Sequence, residues 1–458
     1  MKKAINQIKV KKAAGPDNVN GKLIRSCRDS LFPIIYKIFS LSFQTSTFPD
    51  LWKVGEIIPI PKMDLPQKDN DLRPVTLTAI LAKCLERVGL LQLRPIVENK
   101  LDKLQFAYTG GRGTEDAICV MLHKITEHLD RSSSNTARVL FIDYSSAFNT
   151  IQPHVMMEKL QTFGVPADLC LWLLSFLTER PQYVKTQQET SNILTLNTGA
   201  PQGCVLSPVL FILYTSDLQW SSDTDSVSIL KYADDTAIIG LIKDDECDEY
   251  MKCIDFVKHW CDFCSLELNV NKTKEVIFDF RRSKFSYGSV KIDSKSVEIV
   301  PVYKYLGLSL DHNVTFKDHV ELKLKQSNKR LYCIRQMKKN KVKKKLIEMF
   351  YNAMIPSVLL YACSGFFNLL TKSLKHDLDR PRRICTKLIG DGENLVKQDV
   401  MYKNATLSLA AKIIKDHDHP LCSQYVLLRS GRRYRLPRIR TSRFRSTFVP
   451  SSLIIMNE

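Results

Sequence analysis

Tyr232-Ala233-Asp234-Asp235 is the stretch on which the reading of this chain turns. Ile229-Leu230-Lys231 precedes it and Thr236-Ala237-Ile238-Ile239 follows, so two apolar arms flank a pair of acids. That pattern predicts a β-hairpin with both carboxylates at its turn. Upstream, Val139-Leu140-Phe141-Ile142 is a continuous apolar run, the mark of a buried strand, and Asp143 stands at its C-terminal end. An isolated Asp-Asp is usually no more than a solvated turn. If a sheet joins this strand to the hairpin, however, three carboxylates converge. All three would be ionised near neutral pH, since an ordinary Asp titrates at about 3.9. Like charges that close repel unless a cation lies between them. An all-oxygen ligand set suits Mg²⁺ or Mn²⁺. Two such ions about 4 Å apart activate an attacking oxygen and stabilise a leaving one. Phosphodiester synthesis needs both effects, at a primer 3′-hydroxyl and at a departing pyrophosphate; the remainder of that chemistry is positioning.

Working outward, the chain predicts a mixed α+β body. Helices are expected over 32–43, 80–97, 114–129, from Pro153 to Gly164, over 167–179 and over 245–264. Strands are expected over 53–62, around Tyr183 and Leu194, and over 276–280 and 302–308. Pro59 and Pro61 point to a sheet edge for the first of these. Gly110-Gly111-Arg112-Gly113 reads as a basic loop, and Ser207-Pro208 as the N-cap and first turn of a helix. After about Asp311 two helices are expected, around Val320, Leu324, Leu331 and Ile334 and around Leu346, Phe350 and Ala353. A lysine run over 338–345 separates them. Arg429, Arg432, Arg433, Arg435, Arg438, Arg440, Arg443 and Arg445 then make a basic end segment, interleaved with Tyr434 and Phe444. It reads either as a nucleic-acid contact or as a disordered tail.

With 458 residues the chain is too long for one ordinary core. Its net charge of +19 and pI near 9.3 call for a polyanionic partner, nucleic acid before membrane. The longest apolar run, 205–214, contains Ser207 and Pro208 and is too short to span a bilayer. The first residues open no signal peptide. Thirteen cysteines at scattered spacing give no disulfide framework and point to a reducing compartment. Cys261 and Cys264 read as core cysteines, because a zinc site would need two further ligands at a matching spacing.

These segments together resemble reverse transcriptases, most closely those of non-LTR (LINE-type) retrotransposons of the jockey and chicken-repeat kind. Phe141-Ile142-Asp143-Tyr144-Ser145-Ser146-Ala147-Phe148 is similar to the family's first palm motif and Tyr232-Ala233-Asp234-Asp235 to its signature turn. Gly199-Ala200-Pro201-Gln202-Gly203-Cys204-Val205-Leu206-Ser207-Pro208 is similar to the segment between them. Ile60-Pro61-Lys62 and Asn70-Asp71-Leu72-Arg73-Pro74-Val75 match the fingers. Leu268-Asn269-Val270-Asn271-Lys272-Thr273-Lys274 and Tyr305-Leu306-Gly307 match the last palm motifs. Any one of these is weak; seven in order are specific.

The resemblance implies an α+β right-hand polymerase: fingers and the start of the palm over 1–130, palm over 131–311, a helical thumb over 312–390 and a basic segment over 391–458. It implies RNA-directed DNA synthesis from a primer 3′-hydroxyl, with two Mg²⁺ (or Mn²⁺) held by Asp143, Asp234 and Asp235. Lys62 and Arg73 would hold the triphosphate of a deoxynucleotide, the planar fork of Arg pairing with phosphate oxygens. Phe148 would exclude a 2′-hydroxyl by bulk. Gln202 would lie near the nascent base pair, with Gly199 and Gly203 letting backbone approach the nucleic acid. Lys272 would neutralise the leaving pyrophosphate, and Tyr305, Leu306 and Gly307 would grip the primer end. The partners implied are an RNA template, a DNA primer and deoxynucleoside triphosphates, with no membrane and no obligate protein partner. The expected location is cytoplasm and nucleus, in a ribonucleoprotein with the template. Elements of this kind carry an endonuclease ahead of the polymerase. Here Lys11-Lys12-Ala13-Ala14-Gly15-Pro16-Asp17, at the edge of the fingers, already opens the chain, so no endonuclease domain is expected. Two other readings remain: an RNA-dependent RNA polymerase, against which the bulk of Phe148 argues, and an inactive retrotransposon remnant that only binds RNA.

Overall fold

The computed structural model describes every residue except 12, 223, 283–286 and 391–394, and of Asn70 the backbone alone. Lys12 of the 11–17 motif and the Asn70 side chain of the 70–75 motif therefore lie outside the described residues. Contacts divide the chain into two compact, interleaved units. One is Met1–Tyr108 with Tyr144–Gln219 and Val257–Leu268; the other is Thr109–Asp143 with Trp220–Phe256 and Asn269–Glu458.

The first unit holds a four-stranded sheet in the order Leu72–Leu77, Gly55–Pro61, Arg180–Val184, Leu194–Leu196. Gly55–Pro61 is thus an inner strand and not the expected sheet edge. The prolines explain how it can be one. Arg180–Val184 pairs only with Gly55, Glu56 and Ile57, so Pro59 and Pro61 lie beyond that ladder and face only Leu72–Leu77. A proline that cannot donate is tolerated where no partner awaits its N–H. Helix Ile80–Val97 spans the predicted residues. Its Gly89 lies so close to the Trp172 ring that an added Cβ would come within 2.6 Å of it. Trp172 is fully buried, donates to Ser42 Oγ at 2.9 Å and stacks on Phe43 at 4.7 Å. With Phe48 and Phe176 it forms the centre of this unit's core. Cys261 and Cys264 are both buried.

The second unit is built on a five-stranded sheet in the order Glu298–Ile299, Lys274–Phe278, Thr136–Ile142, Asp235–Ile242, Val227–Tyr232. Every residue of the central strand Thr136–Ile142 is buried, as its unbroken apolar run requires. Helix Thr114–Arg131 packs on the sheet, against three of its strands. Tyr250 of helix Asp248–Phe263 covers Gly240, where any side chain would clash with its ring. Near its start the central strand carries a charge, Arg138. It is 4% exposed and is met by fully buried Glu275 through two bonds, Nε–Oε1 at 2.8 Å and Nη2–Oε2 at 2.9 Å. Tyr250 donates to the same carboxylate at 2.9 Å.

Where one strand is expected over 302–308, the chain instead folds back on itself. Val302–Tyr305 pairs antiparallel with Leu308–Asp311 around Leu306-Gly307, whose φ values are 45° and 84°. A two-residue turn with positive φ at both centres matches the twist of a hairpin. The two lysine-flanked helices form as expected, Lys317–Lys339 and Lys344–Met354, and take up the outer lysines of the run between them. Helices Lys372–Ile389 and Gln398–Lys415 follow. The chain does not finish as a disordered tail: the arginine segment leads into helix Phe448–Asn457, whose Phe448, Val449 and Leu453 are buried.

Candidate active site

The aspartate hairpin forms as predicted. Val227–Tyr232 and Asp235–Ile242 close on the pair Tyr232↔Asp235, with Ala233 and Asp234 as the turn. Ala233 has φ of 56°, a conformation that costs a residue other than glycine about 1–3 kcal/mol and that persists where the surroundings impose it. The second arm pairs with the central strand in a register running from Thr136↔Ile242 to Ile142↔Thr236. The pairing ends there, and Asp143 and Asp235 are the next residues on the two strands. Directly opposed residues of an antiparallel pair have Cα atoms about 4.5–5.5 Å apart, so Asp143 leaves the last pair, Ile142↔Thr236, beside the hairpin acids.

Electrostatics reports the same proximity. The Asp235 carboxyl is pushed up to about 6, first by burial and then by the charges of Asp234 and Asp143. Tyr303, pushed up to about 12 by burial, also feels Asp235 and Asp143. It stacks on Phe141 at 4.1 Å, and Tyr305 lies 5.3 Å from the same ring. An aromatic layer of Phe141, Tyr303 and Tyr305 thus adjoins the acids. The sequence motif points to Tyr305 as part of the primer grip and gives no sign of Tyr303. Burial holds the Tyr305 phenol well above its ordinary range. At the turn beside it, Leu306 O accepts a bond of 2.8 Å from the Tyr361 hydroxyl, and Gly307 lies against that ring.

Asp143 is held by its backbone. Its carbonyl accepts from Asn269 N at 2.8 Å, and its N–H reaches Thr273 Oγ1 at 3.4 Å. Lys272, in the same short segment, places its ammonium 3.6 Å from Asp143 Oδ2. That oxygen is buried and accepts no hydrogen bond. Among the described residues no group of three His, Cys, Asp or Glu side chains is already drawn up to hold a metal ion. The donors nonetheless fit a hard divalent cation. They are all carboxylate oxygens, the charges of Asp234 and Asp143 help raise the Asp235 carboxyl, and one Asp143 oxygen is buried without a hydrogen bond.

Asp143, Asp234, Asp235, Lys272, Tyr305, Leu306 and Gly307 all belong to the second unit. Lys62, Arg73, Phe148, Gln202 and Gly203 belong to the first. There Lys62 and Arg73 are exposed at the loop end of the Gly55–Pro61/Leu72–Leu77 hairpin, with Ile60 opposite Arg73 and Lys62 N donating to Asp71 O at 2.8 Å. Phe148 is half-buried against Phe211 at 4.7 Å, and its carbonyl accepts from Ala200 N at 2.7 Å. The loop of Gln202 is laid along the Leu72–Leu77 strand: Thr76 N donates to Gln202 O at 2.8 Å. Gly203 has φ of 112°, and an added Cβ would stand 2.8 Å from Thr76 O, so only glycine fits there.

Ser207 is not the cap of helix Ser207–Tyr214. It is the first helical residue, and its Oγ donates to Pro201 O at 2.7 Å. The free N–H groups of Val205 and Leu206 are taken instead by Glu86 Oε2, at 2.5 and 3.0 Å. Glu86 is buried, and burial raises its carboxyl above the ordinary range. Sequence reasoning misses this positioning residue. The available signal is a lone acid within the apolar stretch Cys84-Leu85-Glu86-Arg87-Val88.

The family model "Reverse transcriptase (RNA-dependent DNA polymerase)" matches residues 60–310, more than half of the chain. The RNA-directed DNA polymerase from mobile element jockey of Drosophila melanogaster is 29% identical over 336 residues, covering 70% of this chain and 36% of the relative. The probable RNA-directed DNA polymerase from transposon BS of the same species is 25% identical, covering 72% and 37%. This chain therefore spans about a third of the length of the curated relatives it matches. Among solved structures, apo telomerase from Candida tropicalis aligns with a TM-score of 0.41 at 10% identity, covering 85% of this chain and 72% of that one. By the family match, which takes in the strand of Asp143, the aspartate hairpin and the Tyr305 turn alike, this chain belongs to the reverse transcriptases, and its relatives are polymerases of non-LTR retrotransposons.

Proposed function

We propose that the chain is an RNA-directed DNA polymerase that extends a primer 3′-hydroxyl on an RNA template. The observation that carries this reading is the register that ends at Ile142↔Thr236, one residue short of Asp143 and Asp235, with the charges of Asp234 and Asp143 felt at the Asp235 carboxyl. The family implies dependence on a divalent metal; the finer reading is two Mg²⁺, or Mn²⁺, held by Asp143, Asp234 and Asp235. When bound, such a pair lowers the pKa of the attacking hydroxyl and neutralises the leaving pyrophosphate.

The chain's own residues do the rest. Lys62 and Arg73 bind the triphosphate, which fits their exposure and their nearness on one hairpin. Phe148, braced by Phe211, stands where the sugar of the incoming nucleotide must pass and rejects a 2′-hydroxyl. Gln202 and Gly203, held against Thr76, bring backbone to the nascent base pair. Lys272 leaves Asp143 to meet the charge of the departing pyrophosphate. Tyr305, Leu306 and Gly307 steady the primer end. On this reading residues 1–130 supply fingers and the start of the palm, 131–311 the palm, 312–390 the thumb and 391–458 a basic adjunct. The protein works in cytoplasm and nucleus with its template RNA.

The test is extension of a labelled DNA primer annealed to RNA, with Mg²⁺ and deoxynucleotides. Extension is expected; its complete absence in folded protein that still binds RNA would favour the remnant reading. Phe148→Ala is expected to raise ribonucleotide incorporation at least tenfold relative to deoxynucleotide. An unchanged sugar preference would remove the role given to Phe148.

A further inference from the structure

The segment 429–445 carries eight arginines and no lysine, and no acidic residue occurs between Asp418 and Glu458. Seven of the eight arginines are exposed and Arg443 is half-buried. Among the described residues none of the eight forms a salt bridge. Several other arginines of the same unit are matched: Arg112 with Asp416, Arg138 with Glu275, Arg281 with Asp245 and Asp279, Arg382 with Asp379. Unmatched like charges repel and weaken a compact state, so the fold does not account for them.

Nor is this a loose tail on which charge would cost little. The backbone is fixed at several points, almost entirely by groups other than these guanidiniums. Asp130 accepts from Arg440 N, Thr441 N and Thr441 Oγ1 at 2.9, 2.7 and 2.6 Å. The Asn457 side chain clasps both backbone groups of Tyr434, at 2.7 and 3.0 Å. Leu427 bridges to Tyr434, and Phe444 is buried. Among the described residues Arg440 spends its side chain on an anchor, donating to Arg131 O, and Arg443 lies on the Phe280 ring. The result is a set of long cationic side chains held out on a rigid support.

A second feature adjoins it. A cleft of about 510 Å³ is lined by Phe280, Arg281, Arg282, Arg443 and Phe444, among others, within the range of sites for small organic ligands, about 300–1,000 Å³. Arg443 lies over the Phe280 ring at 3.5 Å. The Asp130 carboxylate in the same wall is already occupied by Arg440 N, Thr441 N and the Thr441 hydroxyl, and Phe444 is buried, so the cleft presents the Arg443 guanidinium plane, backed by Phe280, and the exposed Arg282.

We propose that segment 429–445 and this cleft form a binding surface for single-stranded or looped RNA, with the exposed arginines on phosphates and the cleft receiving an unstacked base. Arginine without lysine favours that ligand. A guanidinium both forks onto phosphate and stacks on exposed bases, which an ammonium cannot do. The proposal rests on the polymerase reading only for the source of the RNA.

The test uses the full chain and a fluorescent single-stranded RNA, without primer, nucleotides or divalent metal, so that binding is read apart from synthesis. The quadruple variant Arg432→Gln, Arg433→Gln, Arg435→Gln, Arg438→Gln is compared with an equal loss of charge, Lys3→Gln, Lys9→Gln, Lys22→Gln, Lys37→Gln. The arginine variant is expected to weaken RNA binding tenfold or more at moderate salt. It should also flatten the dependence of log Kd on log salt by about 0.7 for each phosphate no longer neutralised. The lysine variant is expected to change binding less than threefold. Equal losses in both, or no loss in the first, would overturn the proposal, as would duplex DNA competing as well as single-stranded RNA of the same sequence. Should the arginine variant melt early, the wild-type chain decides: RNA carrying 4-thiouridine is expected to crosslink within 426–445, and crosslinks wholly outside it would contradict the assignment. Failure of primer extension with these results intact would count against the polymerase reading alone.

Discussion

One strand, Thr136–Ile142, carries charge at both ends and treats the two in opposite ways. Near its start the Arg138 guanidinium is enclosed and matched by Glu275, which Tyr250 holds in turn, and by the carbonyl of Gly288. Beyond its finish Asp143 has a buried oxygen without a hydrogen bond, two acids for neighbours and only the exposed Lys272 ammonium, 3.6 Å away, for a counter-charge. A protein selected for stability alone would not leave the second arrangement beside the first. The contrast separates a charge that holds the sheet together from charges that the sheet holds apart for use.

The largest effect should come from the acid end. Asp143→Ala or Asp234→Ala is expected to lower primer extension by at least a thousandfold, about 4 kcal/mol of transition-state stabilisation, while the urea midpoint stays level or rises because a like charge has gone. A variant that loses activity and unfolds together would blur the distinction between the two ends. At the matched end the order reverses. Arg138→Ala leaves the Glu275 carboxylate buried and unpaired, and is expected to cost about 3–5 kcal/mol in urea denaturation. The double variant Arg138→Met, Glu275→Leu should recover most of that loss, because a buried pair replaced by apolar groups of similar volume is often nearly neutral. If the double variant is as unstable as the single, the pair does more than satisfy itself.

Much of this is legible in the sequence where the cause is local. The apolar arms around Asp234-Asp235, the buried run before Asp143 and helix Ile80–Val97 all follow from periodicity, and the structure reproduces them. What escapes is set by partners far along the chain. Glu86 caps a helix 120 residues away, and Ser207 has the right side chain in nearly the right place, which makes the local reading plausible. Glu275 lies 137 residues from Arg138. The turn at Leu306-Gly307 fails for a different reason: leucine rarely adopts positive φ, so an unbroken apolar pattern conceals a reversal at which only Gly307 hints. The inner place of the Gly55–Pro61 strand is hidden because a proline reports what its own N–H lacks, and not how many neighbours the rest of the strand has.

Whether the acid end of the central strand is a cation site is tested most directly by Mn²⁺ titration of the wild-type chain and of Asp143→Asn, following free Mn²⁺ by electron paramagnetic resonance and the melting temperature alongside. The wild type is expected to take up Mn²⁺ and to gain about 1–3 kcal/mol of stability at saturating metal, and Asp143→Asn to lose most of both. Equal uptake by the two proteins, or none by either, would contradict a metal site at these aspartates.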